Sequence, residues 1–430
     1  MRVMFYVWSV VLALLAAPGS AFAQAAPPPA QMVPGKLMFS GPEEALYQER
    51  FRKLFAGGPG ALGETYDPLE PVPGAANWTP LPLAVPAERT ISPGALKAAT
   101  EYAAANNSDS FIVWRRGKVE TEVYFGGHAK TSSIITRSLA KPITAVAVGR
   151  AIMLGKIKSL DQPVADFVKE WKRDPRRSKI LVRHLLDMRT GFLPQANATD
   201  PADILNRAYL HPRHDEIIVK EYPVVDEPGT RYEYNNATSE MVAVLIERAT
   251  GRRYAEFIGA EIWQKIGALG GQVWINRPGG MAHSGCCMLV PAESMLRLAL
   301  LLLRDGTWEG QRLLPDGYVT QMTTPTAENP HAGMGVYVAG RYTQRRGAAN
   351  PDRGAPKTLH SAPYLASDLY LFDGNANQVV YIVPSEDLIV LRTGVNPPKT
   401  KDQEWDNAAL PNIILQGIVA AKGTSVPQAP

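Results

Sequence analysis

One stretch of the chain is apolar nearly all round and therefore restricts the folds that the sequence can adopt. The segment PITAVAVGRAIMLG, residues 142–155, has the periodicity of a helix but presents no polar face. Such a helix has to be covered on every side, so we expect it to run through the core. Pro142 is compatible with a helix start, because first-turn amides have no intrahelical partner.

Strand-like segments lie on both sides of this helical part of the sequence. SFIVWRRGKVETEVYFG, residues 110–126, alternates around a glycine turn as a β-hairpin does. After residue 333 the strand-like runs GMGVYVAG, LYLFDG, NQVVYIVPSE and DLIVLRTG follow, and then the helical LPNIILQGIVAA. This order predicts an α/β protein of the α+β type: one antiparallel sheet from both ends of the domain, flanked by helices, with an inserted helical lobe.

The bulk composition is that of a soluble globular protein. Of 430 residues, 45% are hydrophobic and 20% charged, and the formal net charge is only +4. A binding surface for nucleic acid would need a basic stripe, and the short clusters around Lys172 and Arg345 do not form one. We therefore expect no nucleic-acid partner. The oligomeric state is not indicated.

The first residues have the pattern of an export signal. Arg2 precedes the apolar VMFYVWSVVLALLAA, and SAFAQ predicts cleavage after Ala23. We predict a signal peptide at residues 1–23, a Pro/Gly-rich arm at 24–90 and the main domain at 91–424. No later segment is long enough to span a membrane, which favours an exported, periplasmic or secreted protein.

The two cysteines, Cys286 and Cys287, are adjacent in the sequence. Neighbouring cysteines rarely meet disulfide geometry, so we expect two small buried side chains in a packed turn. No further Cys or His cluster has metal-ligand spacing, which predicts no metal site. His184 lies among apolar residues and is expected to have a structural or capping role; a place for His283 near the cleft is a weaker hypothesis.

Ser138 and Lys141 lie three residues apart at the start of the apolar helix. On one helix face they are within reach of each other, and a neutral lysine can remove the proton of a serine hydroxyl. The Ser138 amide would then lie at the positive helix end, where an oxyanion is stabilised. An ordinary serine cap followed by a solvent-reaching lysine explains the same four residues equally well.

A second polar segment occurs in EPGTRYEYNNATSEM, where Tyr234 and Asn236 follow a Pro-Gly turn and precede a helix. Two residues apart in an extended segment, their side chains point the same way and could line a cleft. A phenol near a lysine can pass a proton to a leaving group. Taken alone, however, a tyrosine in such a position is often only part of a core.

In combination, these segments resemble the serine β-lactamase and penicillin-binding superfamily, and in particular its class C-like branch of esterases and 6-aminohexanoate-dimer hydrolases. SLAKPITAVAVGRAIMLGKIKSLDQPV resembles the S-x-x-K helix and the loop after it, VRHLLDMRTGF the HLLTMTSG segment, and RYEYNN the Y-x-N stretch. The resemblance covers roughly residues 95–420. It implies a β-lactamase/transpeptidase-like fold with Ser138 as nucleophile, Lys141 as general base, Tyr234 as proton relay and Asn236 as a substrate-contacting amide, without metal or organic cofactor.

The chain departs from the family at the K-T-G element. Arg392-Thr393-Gly394 lies one strand too late, and Phe372-Asp373-Gly374 occupies the matching position without a cation. Gly374 still permits close backbone approach, and the Asn375 amide is the expected second oxyanion donor. Substrate selection by a free carboxylate is therefore not expected at this point.

Three further side chains, Asp187, Arg189 and Gln378, are candidates for the lining of the pocket. The sequence thus predicts a serine hydrolase that forms an acyl-enzyme with a small ester or amide substrate. Two alternatives stay open: a β-lactamase or D-Ala-D-Ala carboxypeptidase, and a binding or sensor protein that keeps the fold without turnover.

Overall fold

The computed structural model of the protein describes residues 33–57, 66–196, 198–347, 357–400 and 403–418. The predicted signal peptide and the first residues of the predicted arm lie outside these ranges. The described residues belong to one compact unit. Within them, no helix has both the length and the apolar composition required to cross a bilayer.

The described helices are α1 (Pro42–Gly57), α2 (Pro93–Ala105), α3 (Ala140–Met153), α4 (Val182–Leu186), α5 (Ile204–Leu210), α6 (His214–Lys220), α7 (Asn236–Thr250), α8 (Tyr254–Ile258), α9 (Ala292–Leu303), α10 (Tyr318–Thr323) and α11 (Ala409–Gln416). The described strands are β1 (Leu69–Val72), β2 (Ser108–Arg115), β3 (Lys118–Tyr124), β4 (Ser133–Ile135), β5 (Gly271–Trp274), β6 (Met288–Pro291), β7 (Thr307–Trp308), β8 (Gln311–Arg312), β9 (Tyr337–Val338), β10 (Arg345–Arg346), β11 (Thr358–Leu359), β12 (Tyr370–Gly374), β13 (Gln378–Val383) and β14 (Leu388–Gly394).

A six-stranded antiparallel sheet forms the centre of the fold, in the order β3-β2-β14-β13-β12-β9. The predicted hairpin is β2–β3, and the strands from the far end of the chain pair with it through β14. The prediction of one antiparallel sheet built from both ends of the domain is confirmed. Strands β13 and β14 are buried along their whole length, because helices cover both faces of the sheet.

Alternate residues of the central strands belong to two separate cores. Phe111 and Val113 pack with α2 and α11 on one face of the sheet. Ile112 and Trp114 belong to the larger core on the other face, which also contains α3, α7 and α9. This separation follows from the period of two of a β-strand.

Helix α3 runs through the larger core as its composition predicts. Every residue from Ala140 to Ala151 is buried. At Gly149 a Cβ atom would lie 2.8 Å from Tyr318 Cε1 and from Leu314 Cδ2, so glycine is required for this packing. The buried helix thereby fixes the position of the Ser138 turn at its start.

A second antiparallel sheet, in the order β1-β5-β6-β4, was not predicted from the sequence. Its first strand comes from the predicted arm, which also supplies α1. Strand β4 pairs with β6 and leads directly into the turn that carries Ser138. The second sheet therefore supports the entry to α3 from outside the main sheet.

The expectation for the two cysteines was right on their burial and wrong on their pairing. Cys286 and Cys287 form a disulfide between adjacent residues, just before β6. Both residues are buried, as expected, and the Tyr209 hydroxyl lies 3.4 Å from one sulfur and 3.6 Å from the other. Adjacent cysteines are rarely paired because few backbone conformations bring their sulfurs together, and sequence spacing alone does not identify those conformations.

Candidate active site

The Ser138 turn joins β4 to α3 through a short 3₁₀ segment, Arg137–Leu139. Arg137, immediately before Ser138, has a φ of 52°, in the left-handed region that non-glycine residues rarely occupy. Thr136 anchors the turn, because its amide donates to Met288 O at 2.9 Å and its carbonyl accepts from Leu139 N at 3.0 Å. Unfavourable backbone conformations of this kind are concentrated at functional sites.

Lys141 is buried and lies directly beneath Ser138. Its Nζ donates to Ser138 Oγ at 3.0 Å, to Asn236 Oδ1 at 3.2 Å and to Gly285 O at 2.9 Å. These three acceptors match the three donors of an ammonium group. They also suit a neutral amine, provided that the Ser138 hydroxyl donates to Nζ and the amine donates to Asn236 and Gly285. The same contacts thus accommodate Lys141 before and after proton transfer.

Tyr234 completes the polar cluster around Ser138. Its Oη shares a 2.6 Å hydrogen bond with Ser138 Oγ, and Lys141 Nζ lies 4.7 Å from the centre of its ring. Asn235, the next residue, caps α7 by accepting from Thr238 N at 3.2 Å. Asn236 is consequently the first residue of the helix rather than part of an extended segment. Its side chain nevertheless points to Lys141, as described above.

A narrow cleft opens over these residues. Aromatic, aliphatic and small residues line it beside the polar cluster: Leu186, Met188, Tyr232, Ala332, Gly333, Gly335, Val336 and Tyr337. Gly335 has a φ of +71°, and a Cβ there would lie 2.8 Å from Lys141 O. Only glycine lets this loop pack so closely against the start of α3.

Strand β12 brings the Phe372-Asp373-Gly374 segment beside the Ser138 turn. A Cβ on Gly374 would lie 3.2 Å from both Leu139 N and Thr136 O, so the backbones are in close contact, as the sequence predicts. Asp373 lines the cleft. Burial raises the pKa of its carboxyl from 3.8 to about 7, and the positive charge of Arg346 partly opposes this rise.

Two other predicted site residues, Asn375 and Gln378, use their side chains in hydrogen bonds to the main chain. Asn375 is exposed, and its Oδ1 accepts from Ala376 N at 2.9 Å. Gln378 is buried, and its Nε2 donates to Ile135 O at 2.7 Å, which ties β13 to β4. The roles predicted for Asn375 and Gln378 as oxyanion or substrate contacts stay predictions.

Arg392 does not reach the cleft, in agreement with its position one strand too late. Strand β13 separates β14 from β12. The guanidinium of Arg392 is buried and donates to the carbonyls of Ala376 and Asn377, the latter at 3.1 Å. This side chain holds the turn that follows Asp373 and Gly374.

The remaining candidates lie outside the cleft lining. His184 Nδ1 accepts from Leu181 N at 3.2 Å at the start of α4, in accord with a capping role, and burial lowers its pKa to about 4. Asp187 and Arg189 form an ion pair at 2.7 Å. His283 is fully buried and is absent from the residues that line the cleft.

Sequence reasoning missed the third acceptor of Lys141, the carbonyl of Gly285, because a main-chain atom leaves no signature in a sequence. It also missed the aromatic wall formed by Tyr232 and Tyr337. The RYEYNN motif contains a usable signal for the first of these, since Tyr232 precedes Tyr234 by two residues.

Comparison with known proteins places the chain in a family. The family model described as Beta-lactamase matches residues 97–410, well over half of the chain. The chain therefore belongs to the beta-lactamase family.

A 6-aminohexanoate-dimer hydrolase from Paenarthrobacter ureafaciens is 24% identical to the chain over 261 residues. The match covers 57% of this chain and 66% of the relative, slightly less than two thirds of its length. The family match and this relative make the chain a member of a hydrolase family with the beta-lactamase fold.

Two solved structures agree on the fold. A Bacillus anthracis protein, provisionally named a 6-aminohexanoate-dimer hydrolase, superimposes with a TM-score of 0.61 at 18% identity, over 80% of this chain and 91% of its own. A penicillin binding protein from Bacillus halodurans has a TM-score of 0.51 at 19% identity, over 70% of this chain and 95% of its own. At these identities the likeness establishes the fold alone, and the fold prediction is confirmed.

Proposed function

We propose that the protein is a serine hydrolase that cleaves ester or amide bonds of small substrates through an acyl-enzyme on Ser138. The observation that carries the proposal is the position of Ser138 Oγ between Lys141 Nζ at 3.0 Å and Tyr234 Oη at 2.6 Å. A nucleophile held by a base on one side and a proton donor on the other is the arrangement that acyl transfer requires.

In the acylation step, Ser138 Oγ forms a bond to the substrate carbonyl carbon and its proton passes to neutral Lys141. The tetrahedral intermediate then collapses, and the bond from carbon to the leaving oxygen or nitrogen breaks. Tyr234 gives its hydroxyl proton to the leaving group and recovers the proton that Lys141 took. The product of this step is an ester of Ser138 and a neutral alcohol or amine.

In the deacylation step, a water oxygen attacks the acyl carbon while the Tyr234–Lys141 pair accepts the water proton. The bond to Ser138 Oγ breaks, and the proton returns to Ser138. The carboxylic acid leaves, and the enzyme is back in its starting state. We infer that the amides of Ser138 and Asn375 hold the oxyanion in both steps, where one donor contributes about 3–4 kcal/mol of barrier lowering.

The charge at the cleft supports a substrate class. Phe372 lies where the family pattern has the lysine of K-T-G, and Asp373 where it has the threonine, so this element offers the cleft a carboxyl group and no cation. A free substrate carboxylate at this point would be repelled once Asp373 is ionised, whereas an amine would be attracted. We therefore propose uncharged or amine-bearing substrates.

Covalent labelling tests the role of Ser138 directly. A tagged fluorophosphonate is expected to modify the wild-type chain and not Ser138→Ala. Ser133→Ala, an exposed position on β4, is the matched control and is expected to be labelled like the wild type. Equal labelling of wild type and Ser138→Ala would overturn the assignment.

A substrate panel tests the reaction class. p-Nitrophenyl esters, short linear amides with and without a terminal amine, and a chromogenic cephalosporin would be compared by kcat/KM, with Ser138→Ala as the blank. The proposal predicts turnover of esters or amides above that of the cephalosporin. Faster cephalosporin turnover would favour the β-lactamase alternative, and a stable acyl-enzyme without product release would favour a binding or sensor protein.

Export to the periplasm or medium is proposed on the sequence of residues 1–23 alone. The mature protein is then expected to begin at Gln24 when expressed with its own N-terminus. Mass spectrometry of the secreted or periplasmic fraction checks this, and an intact Met1 in the cytoplasmic fraction alone would contradict it.

A further inference from the structure

A second group of polar side chains, His214, Glu240 and His283, is absent from the lining of the cleft. His214, Glu240 and His283 are almost completely buried, with 0%, 1% and 0% of each residue exposed. Glu240 Oε2 lies 4.0 Å from His214 Nε2 and 3.7 Å from His283 Nδ1. One potential ligand atom from each residue falls within 4.8 Å of the other two.

None of these side chains has a hydrogen-bond partner. Both ring nitrogens of His214, both of His283 and both carboxylate oxygens of Glu240 are buried without one. The backbone amides of Ser284 and Gly285 lie near the Glu240 carboxyl, but they do not meet hydrogen-bond geometry. Buried polar atoms are nearly always paired, so six unpaired atoms at one place indicate a missing ligand.

We propose that His214, Glu240 and His283 form a buried binding site for one zinc-class divalent ion. Two imidazoles and one carboxylate are a known ligand set for Zn²⁺, and the borderline-soft nitrogen donors disfavour Mg²⁺ and Ca²⁺. Ligand atoms of a tetrahedral zinc ion are about 3.3 Å apart, so the 4.0 Å and 3.7 Å separations from Glu240 have to shorten by about 0.7 Å and about 0.4 Å. The His214 and His283 rings stack at 4.1 Å and 17°, and they have to splay for both lone pairs to meet one ion.

The site is connected to the candidate active site through residues 283–285. His283 lies two residues before Gly285, whose carbonyl accepts from Lys141 Nζ at 2.9 Å. A Cβ on Gly285 would lie 3.2 Å from Glu240 Oε1, so Glu240 packs against this segment. An ion bound at the site would therefore stiffen the segment that holds Lys141, and its ligands would act as positioning residues rather than as catalytic ones.

The test uses the full chain, treated with chelator, dialysed and then mixed with zinc chloride. The proposal predicts one zinc per chain by elemental analysis after removal of excess metal, and a melting temperature several degrees higher. Glu240→Gln, which keeps the shape but removes the carboxylate ligand, is expected to lose most of the bound zinc. Glu247→Gln, a half-buried carboxylate further along α7, is the matched control and is expected to bind like the wild type.

A measurement on the unaltered protein covers the case in which Glu240→Gln does not fold. Cobalt(II) added to the chelated wild type is expected to give the intense visible absorption of a four-coordinate nitrogen- and oxygen-ligated ion, and zinc is expected to abolish it. Wild-type protein with substoichiometric zinc, no thermal shift and no cobalt spectrum would overturn the proposal. Neither readout depends on hydrolytic activity, so the proposed function can fail independently.

Discussion

Two polar clusters meet at the segment 283–285, a front cluster around Lys141 and a rear cluster of His214, Glu240 and His283. They differ in how their polar atoms are paired. In front, Lys141 Nζ has three acceptors between 2.9 and 3.2 Å. Behind, none of the ligating atoms of His214, Glu240 and His283 has a hydrogen-bond partner. Asn236 in the front cluster and Glu240 in the rear one are one turn apart on α7.

This difference shows what each cluster lacks. In the front cluster, the three donors of Lys141 Nζ all have acceptors. The rear cluster is costly to bury as it stands, because each unpaired group loses its hydration without compensation. A short stretch of α7 thus contributes one residue, Asn236, to a cluster whose polar atoms are paired and another, Glu240, to a cluster whose polar atoms are not.

Loss of the lysine is expected to have the largest effect on the front cluster. Lys141→Met is predicted to lower kcat/KM for a p-nitrophenyl ester by about 10³-fold or more, because residues that act as a unit are not replaceable one at a time. It also leaves Asn236 Oδ1 and Gly285 O without their donor, at a cost of about 1–3 kcal/mol each. Activity assays and thermal melts check both effects.

Lys179→Met, at an exposed ion pair, is the control for the lysine substitution. It is expected to change neither kcat/KM nor the melting temperature much. A Lys141→Met protein that is fully folded and fully active would contradict the role assigned to Lys141.

Removal of the Tyr234 hydroxyl is expected to have the next largest effect. Tyr234→Phe is predicted to lower kcat/KM for an amide by about 10²-fold, since an amine needs a proton in order to leave. The loss should be smaller for a p-nitrophenyl ester, because p-nitrophenolate leaves without one. Equal losses on both substrates would argue against proton donation, and Tyr342→Phe at the surface serves as the control.

A smaller effect is expected for Asn236→Ala. It removes the acceptor that lies 3.2 Å from Lys141 Nζ while the Ser138 and Gly285 contacts stay in place. We expect the transition state to lose about 1.4 kcal/mol of stabilisation, which lowers kcat/KM about tenfold. Steady-state kinetics beside Asn396→Ala, an exposed loop position, measure the difference. A loss as large as that of Lys141→Met would mean that Asn236 does more than orient the lysine.

The smallest effect is expected for substitution of Asp373, whose carboxyl lines the cleft. Its pKa is raised from 3.8 to about 7 in the folded protein. The folded state therefore retains a proton that the unfolded state loses, so stability decreases as the pH rises from about 4 to 7. Asp373→Asn removes this dependence, and its melting temperature should exceed that of the wild type more at pH 8 than at pH 5. A pH-independent difference would contradict the raised pKa.

Much of the main sheet was predictable, because its signals are local. The alternation of residues 110–126 and the turn at Gly117 define the β2–β3 hairpin, and the apolar runs near the end define β12, β13 and β14. The buried course of α3 follows from its composition alone. The second sheet was missed because it pairs short strands that are distant in sequence, such as β1 with β5.

The same distinction applies to the polar residues. Ser138 and Lys141 are three residues apart, and a family motif joins them to Tyr234, so the front cluster could be proposed from the sequence. His214, Glu240 and His283 come from three separate segments without ligand spacing. The expectation of no metal site rested on spacing, which carries no information on side chains that only the tertiary fold brings together.

The acceptor at Gly285 has a consequence for mutagenesis. Because it is a main-chain oxygen, no side-chain substitution at residue 285 deletes it. Any larger residue at this position is expected to destabilise the protein through a steric clash, since its Cβ would lie 2.5 Å from Ser239 Cβ. A saturation scan would therefore score Gly285 as intolerant and assign it to packing. The electrostatic stabilisation of Lys141 by the Gly285 carbonyl would be detected only by a backbone ester substitution. That substitution weakens the carbonyl as an acceptor without adding an atom.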